Sequence, residues 1–222
     1  MGRFGLADLE KSVEGYRNSV LENFDRNFVC WTVCDRSAGM KKKLREEALA
    51  RRNGILAEVR AEKSRRITEH ILQSEAYKQA KTVFSFVSMG SEVETRDILR
   101  QAWQDGKRVA VPKTERNRIM IFLKIASFSD LQEGRFGVME PIGEEEAVPA
   151  EGDLFLVPGA LLDRRKNRIG YGGGYYDTYF ENYKGYRKIG IAFSEQISET
   201  AIPTEKYDIP LDDIVTENGW EE

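Results

Sequence analysis

The stretch Leu154-Phe155-Leu156-Val157-Pro158-Gly159 runs on through Asp163-Arg164-Arg165-Lys166-Asn167-Arg168 to Gly170-Tyr171-Gly172-Gly173-Gly174-Tyr175-Tyr176-Asp177. A short continuous apolar run stopped by Pro-Gly has the length and pattern of a buried strand ending in a turn. A basic, polar loop follows, then a glycine cluster, then an aromatic segment that predicts a helix from Tyr175 through Phe180 to about Tyr183. Glycine has no Cβ, so backbone can approach a ligand closely, and the free N–H groups at a helix start favour negative oxygens. A strand, a loop with an arginine, glycines and a helix start therefore describe an anion site. The string is not a Gly-Lys-Ser/Thr phosphate loop. Tyr175 also stands where a Gly-x-Gly-x-x-Gly match begun at Gly170 needs its third glycine. On spacing alone, a glycine-rich surface turn with tyrosines packed on the core explains it equally well.

Working outward, Val83 to Val87 predicts a strand bounded by Gly90, and Ile98, Leu99 and Trp103 follow helical spacing that stops at Asp105-Gly106. Lys107 to Val111 reads as a strand closed by Pro112, and Ile119 to Ile125 as another. Strand, helix and strand in succession predict an open α/β sheet with crossover helices, whose functional groups gather at strand C-termini. Ser88 to Glu92 and Pro158-Gly159 fall there. Before the sheet, the run from Lys41 is helical with Leu44 and Leu49 on one side. A second helix is predicted from Ser64 to Lys78 with Ile67, Ile71, Leu72 and Tyr77 inward. Residues 126–152, with Phe136, Val138 and Met139 among glycines and prolines, read as a covering loop rather than a linker. Lys188 to Phe193 predicts a strand, and Asp208 to Val215 a turn and a last short strand.

A chain of 222 residues with 41% apolar content can bury one sizeable core, so one domain is expected. Its 34 basic and 37 acidic residues give no global basic field, which argues against nucleic acid. There is no apolar run of about eighteen residues and no secretory leader, so no membrane partner is expected and the cytoplasm is the expected compartment. Cys30 and Cys34 lack the histidines that would complete a zinc site, and they read as idle thiols. The single histidine, His70, leaves little room for a histidine-dependent triad. Leu6, Leu9, Val13, Tyr16, Val20, Leu21 and Phe24 recur at helical steps, predicting an amphipathic helix over about 6–25. It can dock on the body or on a second subunit, or stay mobile. Residues 1–39 read as an extension without catalytic purpose, and 40–222 as the functional domain.

Arg168-x-Gly170-x-Gly172-x-Gly174-Tyr175-Tyr176-Asp177, preceded by Pro158-Gly159-Ala160 and Asp163, resembles the signature of the 5-formyltetrahydrofolate cyclo-ligase family. The resemblance extends from about Met40 to Asn218. It takes in Lys41 to Arg45, Val87-Ser88-Met89 with Glu92 and Glu94-Thr95, Val111-Pro112, Phe136-Gly137 with Glu140-Pro141, Ala192-Phe193, and Asp208 to Asp212. It implies a single-domain three-layer α/β/α sandwich with a mostly parallel open sheet, of the isomerase/CoA-transferase-like group. It also implies ATP and Mg2+, with 5-formyltetrahydrofolate, polyglutamylated or not, as substrate, and a monomer or weak homo-oligomer. Carried over residue by residue, it assigns Lys41, Lys42, Lys43, Leu44, Arg45 and the run Arg168, Ile169, Gly170, Tyr171, Gly172, Gly173, Gly174, Tyr175 and Tyr176 to ATP. It assigns Val87, Glu92 and Tyr171 to Tyr175 to folate, Asp177 and Asp208 to the metal, and Arg168 with Tyr176 to catalysis. Thr178, Tyr207 and Lys166 depart from the family pattern. A nucleotide- or folate-binding homologue without turnover is the alternative, and the same fold group also holds sugar-phosphate isomerases and CoA transferases.

Overall fold

The structure, a computed structural model, describes residues 34–134, 137–183 and 186–221. The amphipathic segment predicted at 6–25, Cys30 and Phe136 lie outside them. Helices α1 (Cys34–Asn53), α2 (Ala57–Gln73) and the short α3 (Glu75–Gln79) precede strand β1 (Thr82–Ser85). Then come α4 (Arg96–Gln104), β2 (Arg108–Thr114), β3 (Met120–Ile125), β4 (Leu131–Glu133), β5 (Met139–Pro141) and β6 (Leu154–Pro158). The chain continues with β7 (Leu161–Asp163), β8 (Arg168–Ile169), α5 (Tyr175–Asn182), β9 (Arg187–Ile191), β10 (Ile197–Ser198), β11 (Asp213–Thr216) and β12 (Gly219–Trp220).

Seven strands form one sheet in the order β12-β11-β9-β6-β1-β2-β3, parallel throughout except for antiparallel β3 and β12 at the two edges. From β1 the chain steps to β2 on one side and later returns to β6 on the other. The crevice beyond the C-terminal ends of β1 and β6 is thus the switch point of the topology, where ligands settle in open α/β sheets.

Alternate residues of the central strands face opposite layers, as a two-residue repeat requires. Val83, Leu154 and Leu156 pack with Ile67 and Ile71 of α2 and Ile98 and Leu99 of α4. Phe84, Phe155 and Val157 pack on the other side with Tyr179 and Phe180 of α5. There Phe84 stacks on Phe155 at 4.2 Å and Phe122 meets both edge-on at 5.3 and 5.4 Å. Each large side chain so buried contributes about 1.5–3 kcal/mol. The result is the predicted three-layer arrangement. Helix α1 belongs to neither layer: Leu44 and Ala48 pack on Leu161, Ile169 and Ile202, against the small sheet β10-β7-β8. That packing lays α1 beside the glycine string.

Several local expectations are corrected. The second helix begins at Ala57 rather than Ser64 and breaks at Ser74, whose extended backbone (ψ 147°) and hydroxyl cap the amide of Tyr77 at 3.1 Å. Strand β2 runs through Pro112. It pairs with β1 only over Arg108 to Ala110, so the N–H that proline lacks faces no partner there. The loop 163–168 is the turn of the hairpin β7–β8. Buried Asp163 organises it, accepting from the amides of Arg165, Asn167 and Ile202 and from the Asn167 side chain at 2.9–3.1 Å. Lys166 sits in the left-handed region (φ 66°), and its ammonium reaches the Asp212 carbonyl at 2.7 Å and Asp213 at 2.9 Å. Part of residues 126–152 does cover the body: Glu145 to Ala147 lie along the outer edge of β3. The Lys124 and Ala147 amides donate to the carbonyls of Glu145 and Phe122, each at 2.8 Å. Helix α1 runs unbroken across residue 40. No helix among the described residues is long and apolar enough to cross a membrane.

Candidate active site

Strand β8 starts with Arg168, whose side chain is 4% exposed and donates from Nη2 to Asp177 Oδ1 at 2.8 Å. Its Nε is buried without a partner, and its guanidinium lies 5.5 Å from the Tyr176 ring. The Tyr176 hydroxyl is a second buried polar atom with no partner. From the other side Arg45 of α1 donates from Nε to the Gly170 carbonyl at 2.6 Å. Gly172 has φ 100°, and a Cβ there would meet the Arg45 guanidinium at 3.6 Å. Gly174 (φ 71°) then turns the chain into α5. Two arginines from different elements thus flank a glycine backbone that leads into a helix N-terminus, which suits phosphate oxygens.

The remaining residues assigned to the nucleotide divide into three groups. Leu44 and Ile169 are packed in the small core and position α1 and β8. Lys41 donates to Asp208 Oδ2 at 2.6 Å and lies 3.5 Å from Glu205. Lys42 and Lys43 are exposed, and Lys43 faces Glu47 at 3.8 Å. Among the described residues no hydrogen bond or ion pair links these two lysines to the glycine string. Tyr175 packs on the α5 side of the core and donates to the Glu115 carbonyl at 3.3 Å.

Asp177 also accepts the Ile209 amide at 3.1 Å, which draws it beside the Asp208-Ile209 step. Asp208 accepts from Lys41 and from the Glu205 amide, both through Oδ2. Among the described residues each carboxylate keeps its other oxygen unengaged. They hold no cluster of three acidic, histidine or cysteine groups, so these residues alone make no closed cation cage. One oxygen from each of two aspartates suits magnesium, which takes one or two carboxylates and completes its shell with phosphates and water.

Glu92 follows β1 and meets the glycine string at Tyr171, its side chain 11% exposed. It accepts from the Met89 amide at 3.0 Å and from the Tyr171 hydroxyl, with Arg52 Nη1 at 4.0 Å. Burial pushes its carboxyl above the usual range, only partly offset by those three groups. Tyr171 as a whole is 47% exposed, but its hydroxyl end is enclosed between Glu92 and Arg52; desolvation there, and then the charge of Glu92, pushes the phenol well above its ordinary value, so it stays neutral. Val87 is buried in the core beneath. Phe86, Glu92, Pro158, Tyr171, Gln196 and Arg52 line a small cavity at the switch point. Arg52 is the residue that sequence reasoning missed. Nothing in Arg51-Arg52 marks one from the other, yet Arg51 is exposed and Arg52 buried.

A glycine string flanked by arginines at a switch-point crevice, with a buried carboxylate against it, marks an α/β enzyme with an anion-binding loop. Its class can be narrowed by likeness. The model of the 5-formyltetrahydrofolate cyclo-ligase family matches residues 37–217, and the chain belongs to that family of ligases. It is 30% identical to a 5-formyltetrahydrofolate cyclo-ligase of Mus musculus over 193 residues, covering 81% of this chain and 94% of that protein. The cyclo-ligase of Haemophilus influenzae is 28% identical, with 79% and 96% covered. In structure the chain resembles the 5,10-methenyltetrahydrofolate synthetase of Aquifex aeolicus, with TM-score 0.73, 30% identity, and 82% and 92% of the two chains covered. The synthetase of Mycoplasma pneumoniae, at 22% identity and TM-score 0.65, shares the fold.

Proposed function

We propose that this chain cyclises 5-formyltetrahydrofolate to 5,10-methenyltetrahydrofolate, converting ATP to ADP and phosphate. The chemistry sets the requirement. The formyl group on the ring nitrogen is an amide, and its oxygen is too poor a leaving group for the neighbouring amine to expel. Transfer of the terminal phosphoryl group to that oxygen gives an iminium phosphate. The second nitrogen attacks the formyl carbon and loses its proton to solvent, the C–O bond breaks, and phosphate leaves with the electron pair. Such a transfer asks the protein for positioning and charge neutralisation rather than a nucleophile.

The observation that carries this reading is the pair of buried, unpartnered polar atoms, Arg168 Nε and Tyr176 OH, beside a glycine backbone shaped for anions. Buried polar atoms are nearly always satisfied, so two orphans in one site mark the place of a missing ligand group. In the proposed complex Arg168, Arg45, Lys41 and the glycine amides hold phosphates, and Tyr176 donates to a reacting oxygen. Glu92 accepts N–H groups of the pterin edge above Val87. Asp177 and Asp208 hold magnesium, which when bound neutralises phosphate charge. Residues 1–39 take no part except 34–39, which belong to α1, and the chain acts as a monomer or weak homo-oligomer.

The test is direct. Protein with ATP, magnesium and 5-formyltetrahydrofolate is expected to form the methenyl product, followed by its near-ultraviolet absorbance, with matching ADP release. No absorbance change beside an active cyclo-ligase, with ATP still bound, would instead identify a binding protein.

A further inference from the structure

We propose that Arg52 is a positioning residue for the folate half of the site, setting the direction of the Tyr171 phenol and through it the place of the Glu92 carboxylate. The proposal rests on the function proposed above and adds a residue to it. Arg52 lies in the last turn of α1 and is 8% exposed, although burying a guanidinium is costly unless every donor finds a use. Its uses are all local to the folate side. Nε donates to Ser91 Oγ at 2.9 Å, Nη1 donates to the Tyr171 oxygen at 2.6 Å, and Glu92 lies 4.0 Å from Nη1.

Arginine can only donate, and that fixes the polarity of what surrounds it. A phenol has one hydrogen. With Arg52 bound to its oxygen, Tyr171 must turn that hydrogen to Glu92 Oε1. Ser91 likewise accepts from Arg52 and gives its hydrogen to Asn53 Oδ1. Glu92 is then held at both oxygens, by the phenol at one and the Met89 amide at the other. The groups that face it are Arg52 from α1, Tyr171 from the glycine string and Tyr176 from α5, and Arg52 is the cation among them. Burial pushes both phenols up, so neither supplies charge near neutrality. Arg52 therefore favours the ionised carboxylate that folate donors need. The glycine backbone is anchored by a different residue, Arg45 at the Gly170 carbonyl. Tyr171 belongs to both assigned sets, but loss of Arg52 leaves the backbone that faces phosphates anchored, so its larger effect falls on folate.

Arg52→Met keeps length and removes charge, whereas Arg52→Lys keeps charge and loses the planar fork. Michaelis constants for 5-formyltetrahydrofolate and ATP are measured across pH, with thermal melts for folding. Arg52→Met is expected to raise the folate constant about tenfold or more while the ATP constant stays within about twofold. It should also move the acid limb of folate affinity to higher pH. Arg52→Lys should return that limb toward the wild-type position while the folate constant remains raised. Equal shifts for both substrates, or an unmoved limb, overturn the proposal. Where Arg52→Met does not fold, Tyr171→Phe cuts the same link from the other end, and an unchanged folate constant in it overturns the proposal as well. Wild-type turnover is the separate control: its absence defeats the proposed reaction, and calorimetric folate binding by the same variants then judges Arg52 alone.

Discussion

Arg168 and Glu92 are both buried charges, but they answer to different partners. Arg168 faces Asp177, whereas Glu92 is met by a phenol, an amide and a guanidinium. Arg168→Ala is expected to raise the Michaelis constant for ATP and lower turnover, because a fixed cation serves phosphates before and during transfer. Glu92→Gln keeps shape and should raise the folate constant while sparing ATP. Removing a charged partner from a ligand in a buried site costs about 2–4 kcal/mol, roughly thirty- to thousand-fold. Steady-state kinetics with each substrate varied decides the matter, and a Glu92→Gln enzyme weakened toward ATP alone would reverse the assignment. The same carboxylate carries a stability signature of opposite sense. Its pKa is raised on folding above the ordinary 4.5, so its contribution to stability is present below that value and is lost as pH rises through the folded one. Glu92→Gln removes that pH dependence, so its melting temperature should gain on that of wild type as pH rises from acid to neutral, even as folate affinity falls.

At the scale of elements, the glycine string works because its backbone enters regions that side chains avoid. Gly172→Ala places a Cβ at φ 100° and within 3.6 Å of the Arg45 guanidinium. The strain is about 1–2 kcal/mol. Melting should drop by a few degrees, and ATP affinity should fall about tenfold with a smaller change for folate. Equal ATP affinity in this variant would show that the string does not hold phosphates. The elements that carry strong patterning were legible in advance. The apolar run of β6, the helical spacing of α4 and the helix after Gly174 match the structure, while β1 is Thr82–Ser85 and stops short of the predicted Val87. What escaped the sequence were features set by tertiary partners. The hairpin β7–β8 has a two-residue strand and a polar turn, and its order comes from one buried aspartate. The break at Ser74 is a hydroxyl choosing a backbone amide. Arg52 became a site residue only because α1 packs on β7 and β8, an arrangement that no local pattern announces.

For the whole molecule, the sheet class was readable from strand, helix and strand, but the order was not, since the jump from β3 to β6 across β2 and β1 leaves no local mark. Among the described residues the body starts with α1, which carries Lys41, Arg45 and Arg52. A chain lacking residues 1–33 keeps every described residue of that helix. It is expected to hold its melting temperature and turnover within error, and a loss of several degrees would mean that the removed segment buries apolar surface on the body. The strip Glu145 to Ala147 along β3 has a consequence for behaviour in solution. An edge strand with free amides and carbonyls is a template on which other chains add and grow into aggregates. Here one rim of the sheet is occupied by the molecule's own backbone, and the other ends in the two-residue β12. Other chains in a concentrated solution therefore find few open rims on the described sheet, so a segment that takes no part in binding limits self-association.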